Sequence, residues 1–76
     1  MAWSDPFWKP IKLNDGRLLR TLVDAFELFA ALPAPKQTED HWREADEMLI
    51  RAAIAPSAID GALAAMVRAL KAERLI

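Results

Sequence analysis

Residues 10–25 read PIKLNDGRLLRTLVDA, and this stretch decides the fold. Two short apolar runs flank the Asn-Asp-Gly sequence at 14–16, which is typical of a tight turn between antiparallel strands. A capping-box pattern follows at once, because Asp24 stands three residues after Thr21, where the usual acid is Glu. The stretch therefore predicts a β-hairpin whose second strand runs directly into a helix.

The length of the turn decides which side chains face the core. A two-residue turn would pair Leu13 with Leu18 and divide the apolar residues between the two sides of the hairpin. A three-residue loop, with Gly16 in the left-handed conformation, pairs Ile11 with Leu19 instead. We favour this second register, because it turns one apolar set inward: Ile11, Leu13 and Leu19. The outer side then carries Trp8, Lys12, Leu18 and Arg20.

Three amphipathic helices are predicted after the hairpin. Apolar residues recur at spacings of three and four in the segments 22–32, 39–53 and 58–74. Pro33 and Pro35 end the first helix, and we expect Thr38 and Ser57 to cap the other two. Gly61 would let the third helix approach a neighbour closely. The predicted buried stripes are Leu22, Ala25, Phe26, Phe29 and Leu32 in the first helix, Trp42, Ala45, Leu49, Ala52 and Ala53 in the second, and Ile59, Ala62, Leu63, Met66, Ala69 and Leu70 in the third.

A chain of 76 residues has room for a single core, so we expect one domain. The predicted fold class is α+β: a flexible segment at 1–6, a two-stranded antiparallel β-hairpin at 7–21, and three α-helices packed on one face. Because the sequence contains no cysteine, neither disulfide bonds nor thiolate chemistry contribute. It shows no leader pattern and no apolar run long enough to span a bilayer, so we expect a cytoplasmic protein without membrane contact.

Several features, taken in chain order, resemble one family. They are the aromatic-Pro-β segment at 7–13, the Gly-Arg pair at 16–17, the sequence Arg-Thr-x-x-Asp-Ala at 20–25, the Leu-Pro pair at 32–33 and the Trp-x-x-Ala sequence at 42–45. In this order they are similar to the bacterial family called domain of unknown function 982. The resemblance spans nearly the whole chain from Phe7. It implies a small bacterial protein and no activity, cofactor or catalytic residue.

Few residues could carry chemistry. His41 is the only histidine, and Glu44, three residues further on the same helix face, is the nearest candidate for a second metal ligand. Two ligands do not make a metal site. Thr21, Thr38 and Ser57 are explained as helix caps, and the only two glycines are too far apart for a phosphate-binding loop. We therefore predict a protein that is not an enzyme, with no catalytic residue, no cofactor and no metal.

Two surfaces are candidates for binding a partner. The outer side of the hairpin combines an aromatic residue with arginine, a composition found in interface hot spots. The second helix carries a dense acidic run that could dock a basic partner. We thus predict a small protein-binding or regulatory accessory module, whose partner-binding residues are Trp8, Lys12, Leu18, Arg20, Glu44, Asp46 and Glu47. Free strand edges would also allow two copies to pair as a homodimer.

Two alternatives stay open. Trp3 and Trp8 could fold back onto the helices and cover the core, in which case Trp8 is not available to a partner. A nucleic-acid-binding accessory protein is the alternative function, with basic residues on the hairpin and the last helix: Lys12, Arg17, Arg20, Arg68, Lys71 and Arg74. The formal net charge of −1 argues against it, because nucleic-acid binding relies on positive charge.

Overall fold

In the computed structural model, which describes residues 3–76, a two-stranded β-hairpin precedes four α-helices. The strands are β1 at Pro6–Lys12 and β2 at Leu18–Thr21. The helices are α1 at Leu22–Ala30, α2 at Ala34–Gln37, α3 at Asp40–Ile54 and α4 at Ile59–Ala72, with a 3-10 turn at Pro56–Ala58. The predicted α+β class is confirmed. The three predicted helices correspond to α1, α3 and α4 within one or two residues at each end, and α2 and the 3-10 turn are additional.

The hairpin has the three-residue loop that we favoured. Ile11 pairs with Leu19, and the N–H of Leu13 donates to the carbonyl of Arg17 at 2.8 Å. Gly16 adopts a φ of +92°, the left-handed conformation that this loop requires. The predicted faces are confirmed, since one apolar set is buried, namely Ile11, Leu13 and Leu19. The outer set is exposed, namely Trp8, Lys12, Leu18 and Arg20.

The predicted capping box joins β2 to α1. Thr21 Oγ1 accepts a hydrogen bond from the N–H of Asp24 at 3.4 Å, and Asp24 Oδ2 accepts one from the N–H of Thr21 at 3.3 Å. The same carboxylate oxygen also accepts from the N–H of Arg20 at 3.0 Å. The box thus satisfies backbone donors of both the strand and the helix.

Neither Thr38 nor Ser57 is the N-cap of the helix predicted to follow it, so both predictions are wrong. A short helix intervenes: Pro35 suits the first turn of α2, and Thr38 Oγ1 donates to the Pro35 carbonyl at 2.8 Å. α3 therefore starts after Glu39, without a side-chain cap. Ser57 lies inside the 3-10 turn, which moves the start of α4 beyond its reach.

Trp3 and Asp5, which lie in the segment 1–6 that we predicted to be flexible, are hydrogen-bonded to α1. The carbonyl of Trp3 accepts a hydrogen bond from the N–H of Val23 at 2.8 Å. The carbonyl of Asp5 accepts one from the N–H of Leu22 at 3.2 Å. The Trp3 ring lies 5.1 Å from that of Phe26. Trp3 therefore covers part of the core, whereas Met1 and Ala2 lie outside the described residues.

The most extensive helix contact joins α3 to α4. The whole predicted stripe of α3 is buried: Trp42, Ala45, Leu49, Ala52 and Ala53. The buried face of α4 is also rich in alanine: Ala62, Ala65, Met66, Ala69 and Leu70. Small side chains on both helices allow close approach. Gly61 leaves room for Met48 of α3, because a Cβ added at Gly61 would lie 2.6 Å from Met48 Cε.

The buried stripe of α1 differs from the prediction. Leu22, Ala25 and Leu28 are buried, whereas Phe26, Phe29 and Leu32 are only partly buried. Because α1 packs against both β2 and α3, Leu28 takes an inner position and the aromatic rings lie at the border of the core. There they form a row that continues from Phe29 to Trp42, with a 6.3 Å ring separation. Ile59 and Leu63 of α4 are likewise only partly buried.

α4 ends in a left-handed residue that is not glycine. Arg74 has a φ of +58°, and the N–H of Leu75 donates to the carbonyl of Leu70 at 2.9 Å, as in a Schellman motif with Glu73 as the C-cap. The hairpin loop docks on this end. The N–H of Asn14 donates to the Leu75 carbonyl at 2.7 Å, and its Nδ2 donates to the Arg74 carbonyl at 2.9 Å.

The fold predicts a large difference between two neighbouring residues of α3. Leu49→Ala opens a cavity in the α3–α4 contact and should lower the free energy of unfolding by about 2–5 kcal/mol. Ile50→Ala is the matched control, since Ile50 is 40% exposed and should change that free energy by less than about 1 kcal/mol. Equilibrium unfolding in urea measures both, and equal effects would contradict the described core.

Candidate functional site

An open groove lies between β1 and α4. Its cavity volume is about 360 Å³, and it is lined by residues 8–12 of β1 together with Leu63, Val67 and Ile76. Leu63 and Val67 stand four residues apart and therefore project from one side of α4. The groove combines an apolar floor with residues that are accessible to solvent, which is the usual composition of a binding site.

Trp8 is the most exposed large apolar side chain of the described residues, with 74% of its surface accessible. Of the two tryptophans that could cover the core, Trp3 does so and Trp8 does not. Trp8 instead forms part of the groove wall. An exposed tryptophan beside an apolar groove is typical of an interaction surface, because covering it removes a large apolar area from water.

The rim of the groove is positively charged. Lys9 and Lys12 are exposed and line it, and neither takes part in an ion pair within the part of the chain that the structure describes. Their charges are therefore available to a bound partner. Leu18 lies opposite Lys12 across the hairpin, but Leu18 and Arg20 do not line the groove. The predicted outer surface is thus divided, with Trp8 and Lys12 in the groove.

Each edge of the hairpin lacks one free backbone donor near its middle. Because Ile11 pairs with Leu19, the backbone of Pro10 faces away from β2, and proline has no N–H to offer a third strand. On the other edge, the outward N–H of Arg20 already donates to Asp24. Pairing of two copies through these edges, the route that we predicted for a homodimer, stays a prediction and would have one donor fewer on each edge.

The predicted acidic face of α3 is largely paired within the protein. Glu44 forms an ion pair with Arg68 of α4, and Glu47 Oε1 lies 2.9 Å from Arg51 Nη2. Asp46 is half-buried, and burial raises the pKa of its carboxyl group. Arg68 is therefore also engaged, as is Arg17, whose Nε lies 2.7 Å from Asp15 Oδ2. Both predicted charged surfaces therefore contain residues that already form ion pairs within the protein.

A polar cluster lies where the start of α3 meets the end of α4. Glu73 Oε1 is 3.3 Å from His41 Nε2, and Glu73 Oε2 is 3.0 Å from Lys36 Nζ of α2. Glu39 completes the cluster, with its carboxylate 3.9 Å from His41 Nε2 and 3.5 Å from Lys36 Nζ. The candidate neighbour of His41 in the sequence, Glu44, is paired with Arg68 instead. Glu73 was missed because it lies 32 residues from His41 and no local pattern links them.

Glu73 is the electrostatic centre of this cluster. The hydrogen bond from Lys36 is the main cause that lowers the pKa of the Glu73 carboxyl group, and His41 and the indole N–H of Trp42 act in the same direction. Reciprocally, Glu73 and Glu39 raise the pKa of Lys36. The cluster therefore ties α2, α3 and the end of α4 together through charged groups.

The lowered pKa predicts how stability depends on pH. A carboxyl group whose pKa is lower in the folded state stabilises the protein above its unfolded-state pKa of about 4.3. This contribution is lost as the pH falls through the folded-state value. Glu73→Gln should therefore lower the urea midpoint at pH 7 and flatten its decline from pH 5 downward. The control Glu47→Gln, which removes one exposed ion pair, should follow the wild-type slope, and identical slopes in all three would contradict the role of Glu73.

Comparison with known proteins gives no match: no family model matches the chain, and neither does any curated protein or solved structure. The resemblance to domain of unknown function 982 therefore stays a prediction. Within residues 3–76, every helix is too short or too polar to cross a bilayer. The two candidate sites are thus the groove between β1 and α4 and the cluster around Glu73.

Proposed function

We propose that this domain is a non-enzymatic protein-binding module, and that its groove between β1 and α4 takes an apolar segment of a partner protein flanked by carboxylates. The observation that carries the proposal is the position of Trp8, exposed to solvent at an apolar groove with unpaired lysines beside it. Tryptophan is among the residues that contribute most to binding energy when a partner covers them.

The apolar part of the groove supports insertion of side chains. Its volume of about 360 Å³ lies at the lower end of the range for ligand pockets, which suits one or two large side chains. Leu63 and Val67 would contact them from α4, and Trp8 would close over them from β1. Each apolar side chain that moves from water into the groove contributes to the binding free energy in proportion to its buried area. A small segment can therefore bind without changing the fold.

The charges support a partner segment that contains aspartate or glutamate. Lys9 and Lys12 can each attract a carboxylate, which would act mainly on the association rate and on specificity. A nucleic acid is the competing polyanion. It would use a wider basic surface, whereas Arg17 and Arg68 are occupied by Asp15 and Glu44. The apolar lining favours a peptide segment over a phosphate backbone.

The missing edge donors favour binding through side chains. Since Pro10 offers no donor and Arg20 has already used its own, the partner would present side chains to the groove and would not extend the sheet. A second copy of this chain is a poorer occupant, because two of the acids it could offer, Glu44 and Glu47, are already paired with arginines.

Selection from a random peptide library displayed on phage tests this function. We expect the selected peptides to combine an aromatic or large aliphatic residue with Asp or Glu. Trp8→Ala should weaken their binding, measured by calorimetry, at least about tenfold, or about 1.4 kcal/mol. Ile54→Ala is the matched control, because Ile54 is 70% exposed, close to the 74% of Trp8, and lies at the end of α3 away from the lining.

Charge reversal gives the second arm. The double variant Lys9→Glu and Lys12→Glu should bind the acidic peptides more weakly, and its binding should depend less on salt concentration. Loss of binding with Leu18→Glu but not with Trp8→Ala would place the interaction on the outer side of the hairpin and contradict the groove. Binding of oligonucleotides alone, or self-association in sedimentation without peptide binding, would also contradict the proposal. Circular dichroism confirms that each variant is folded.

A further inference from the structure

The polar cluster at the start of α3 has the composition of a metal site. We propose that Glu39, His41 and Glu73 bind a divalent transition-metal ion of the zinc class, with Lys36 leaving when the ion enters. None of these residues lines the groove, so this site is separate from the proposed peptide-binding surface.

The distances between the ligand atoms support the proposal. One ligand atom from each residue lies within 4.8 Å of the other two. His41 Nε2 is 3.3 Å from Glu73 Oε1 and 3.9 Å from Glu39 Oε2. Metal–ligand bonds of about 2.0–2.2 Å in a tetrahedron place ligand atoms roughly 3.4 Å apart. Shifts smaller than about 1 Å would therefore complete the coordination of an ion by these three residues.

Lys36 already marks a cation position between the two carboxylates. Its Nζ lies 3.0 Å from Glu73 Oε2 and 3.5 Å from Glu39 Oε1. The side chain is 47% exposed and extends from the four-residue helix α2, so it can turn away into solvent. A divalent ion bound by the other oxygen of each carboxylate, the one that faces His41, would bring two positive charges to the same groups and repel the ammonium group. It would also accept the lone pair of the imidazole, which an ammonium group cannot do.

A buried donor next to Glu73 is a second, independent observation. Trp42 is fully buried, and its Nε1 has no hydrogen-bond partner among the described residues that meets ordinary geometry. The indole nevertheless lies close enough to Glu73 to help lower the pKa of that carboxyl group. Donors that contact a ligating carboxylate from behind fix its orientation and keep it ionised. Trp42 can serve Glu73 in this way once Lys36 has left.

The donor set selects the metal. One imidazole nitrogen and two carboxylates suit zinc and its neighbours, whereas Mg²⁺ and Ca²⁺ prefer oxygen ligands alone. Three protein ligands would leave a fourth position for water.

Calorimetric titration of the whole protein with Zn²⁺ tests the site, and the visible absorption of Co²⁺ reports whether the coordination is tetrahedral. We expect one ion per chain. His41→Gln and Glu73→Gln should each weaken binding at least about tenfold, and Lys36→Met should strengthen it, since a competing cation is removed. Glu44→Gln is the matched control, because Glu44 stands three residues from His41 but pairs with Arg68, and it should leave affinity unchanged.

Thermal unfolding tests the site even if a substitution lowers stability, because each variant is compared with itself in the absence of metal. Zn²⁺ should raise the melting temperature of the wild type and of Lys36→Met, but not that of His41→Gln, relative to each protein without metal. Equal binding by His41→Gln and wild type would overturn the proposal. So would no binding by either wild type or Lys36→Met at about 1 mM Zn²⁺, or equally strong binding of Mg²⁺.

Discussion

The close contact between α3 and α4 determines where both candidate sites of this protein lie. Alanines on both helices, with Gly61 beside Met48, allow the two helices to approach, and Trp42 and Leu49 fill the space that remains. One side of α4 is committed to α3 in this way. The adjoining side, with Leu63 and Val67, is left to β1 and forms the floor of the groove. The end of the same helix brings Glu73 to the start of α3.

The sequence predicts those features that depend on neighbouring residues or on a regular spacing. The hairpin register follows from one loop and one inward apolar set, the capping box follows from Thr21 and Asp24, and the stripe of α3 follows from helical periodicity. Thr38 and Ser57 were assigned as caps because each precedes an amphipathic run. The intervening α2 and the 3-10 turn depend on how the proline segments pack, which local preference does not reveal.

The candidate sites were harder to predict, for a physical reason. Trp8 and Lys12 could be assigned to one surface from the pleat of β1. The other wall of the groove comes from Leu63, which periodicity assigns to the core, and from Val67, for which the sequence predicts no role. For His41, helical spacing indicated Glu44, and the folded chain supplies Glu73 instead. Contacts between elements distant in sequence follow from tertiary packing, and a single sequence contains no local signal for them.

The docking of Asn14 on the end of α4 has a consequence for how the chain is made. These hydrogen bonds join residues 60 and 61 positions apart. At a translation rate of about 5–20 residues per second, the ribosome needs roughly 3–12 s to make that stretch. During this time the newly made hairpin can pack against α1, which follows it directly, but it lacks its partner α4. The hairpin therefore reaches its complete native surroundings only after α4 has been synthesised.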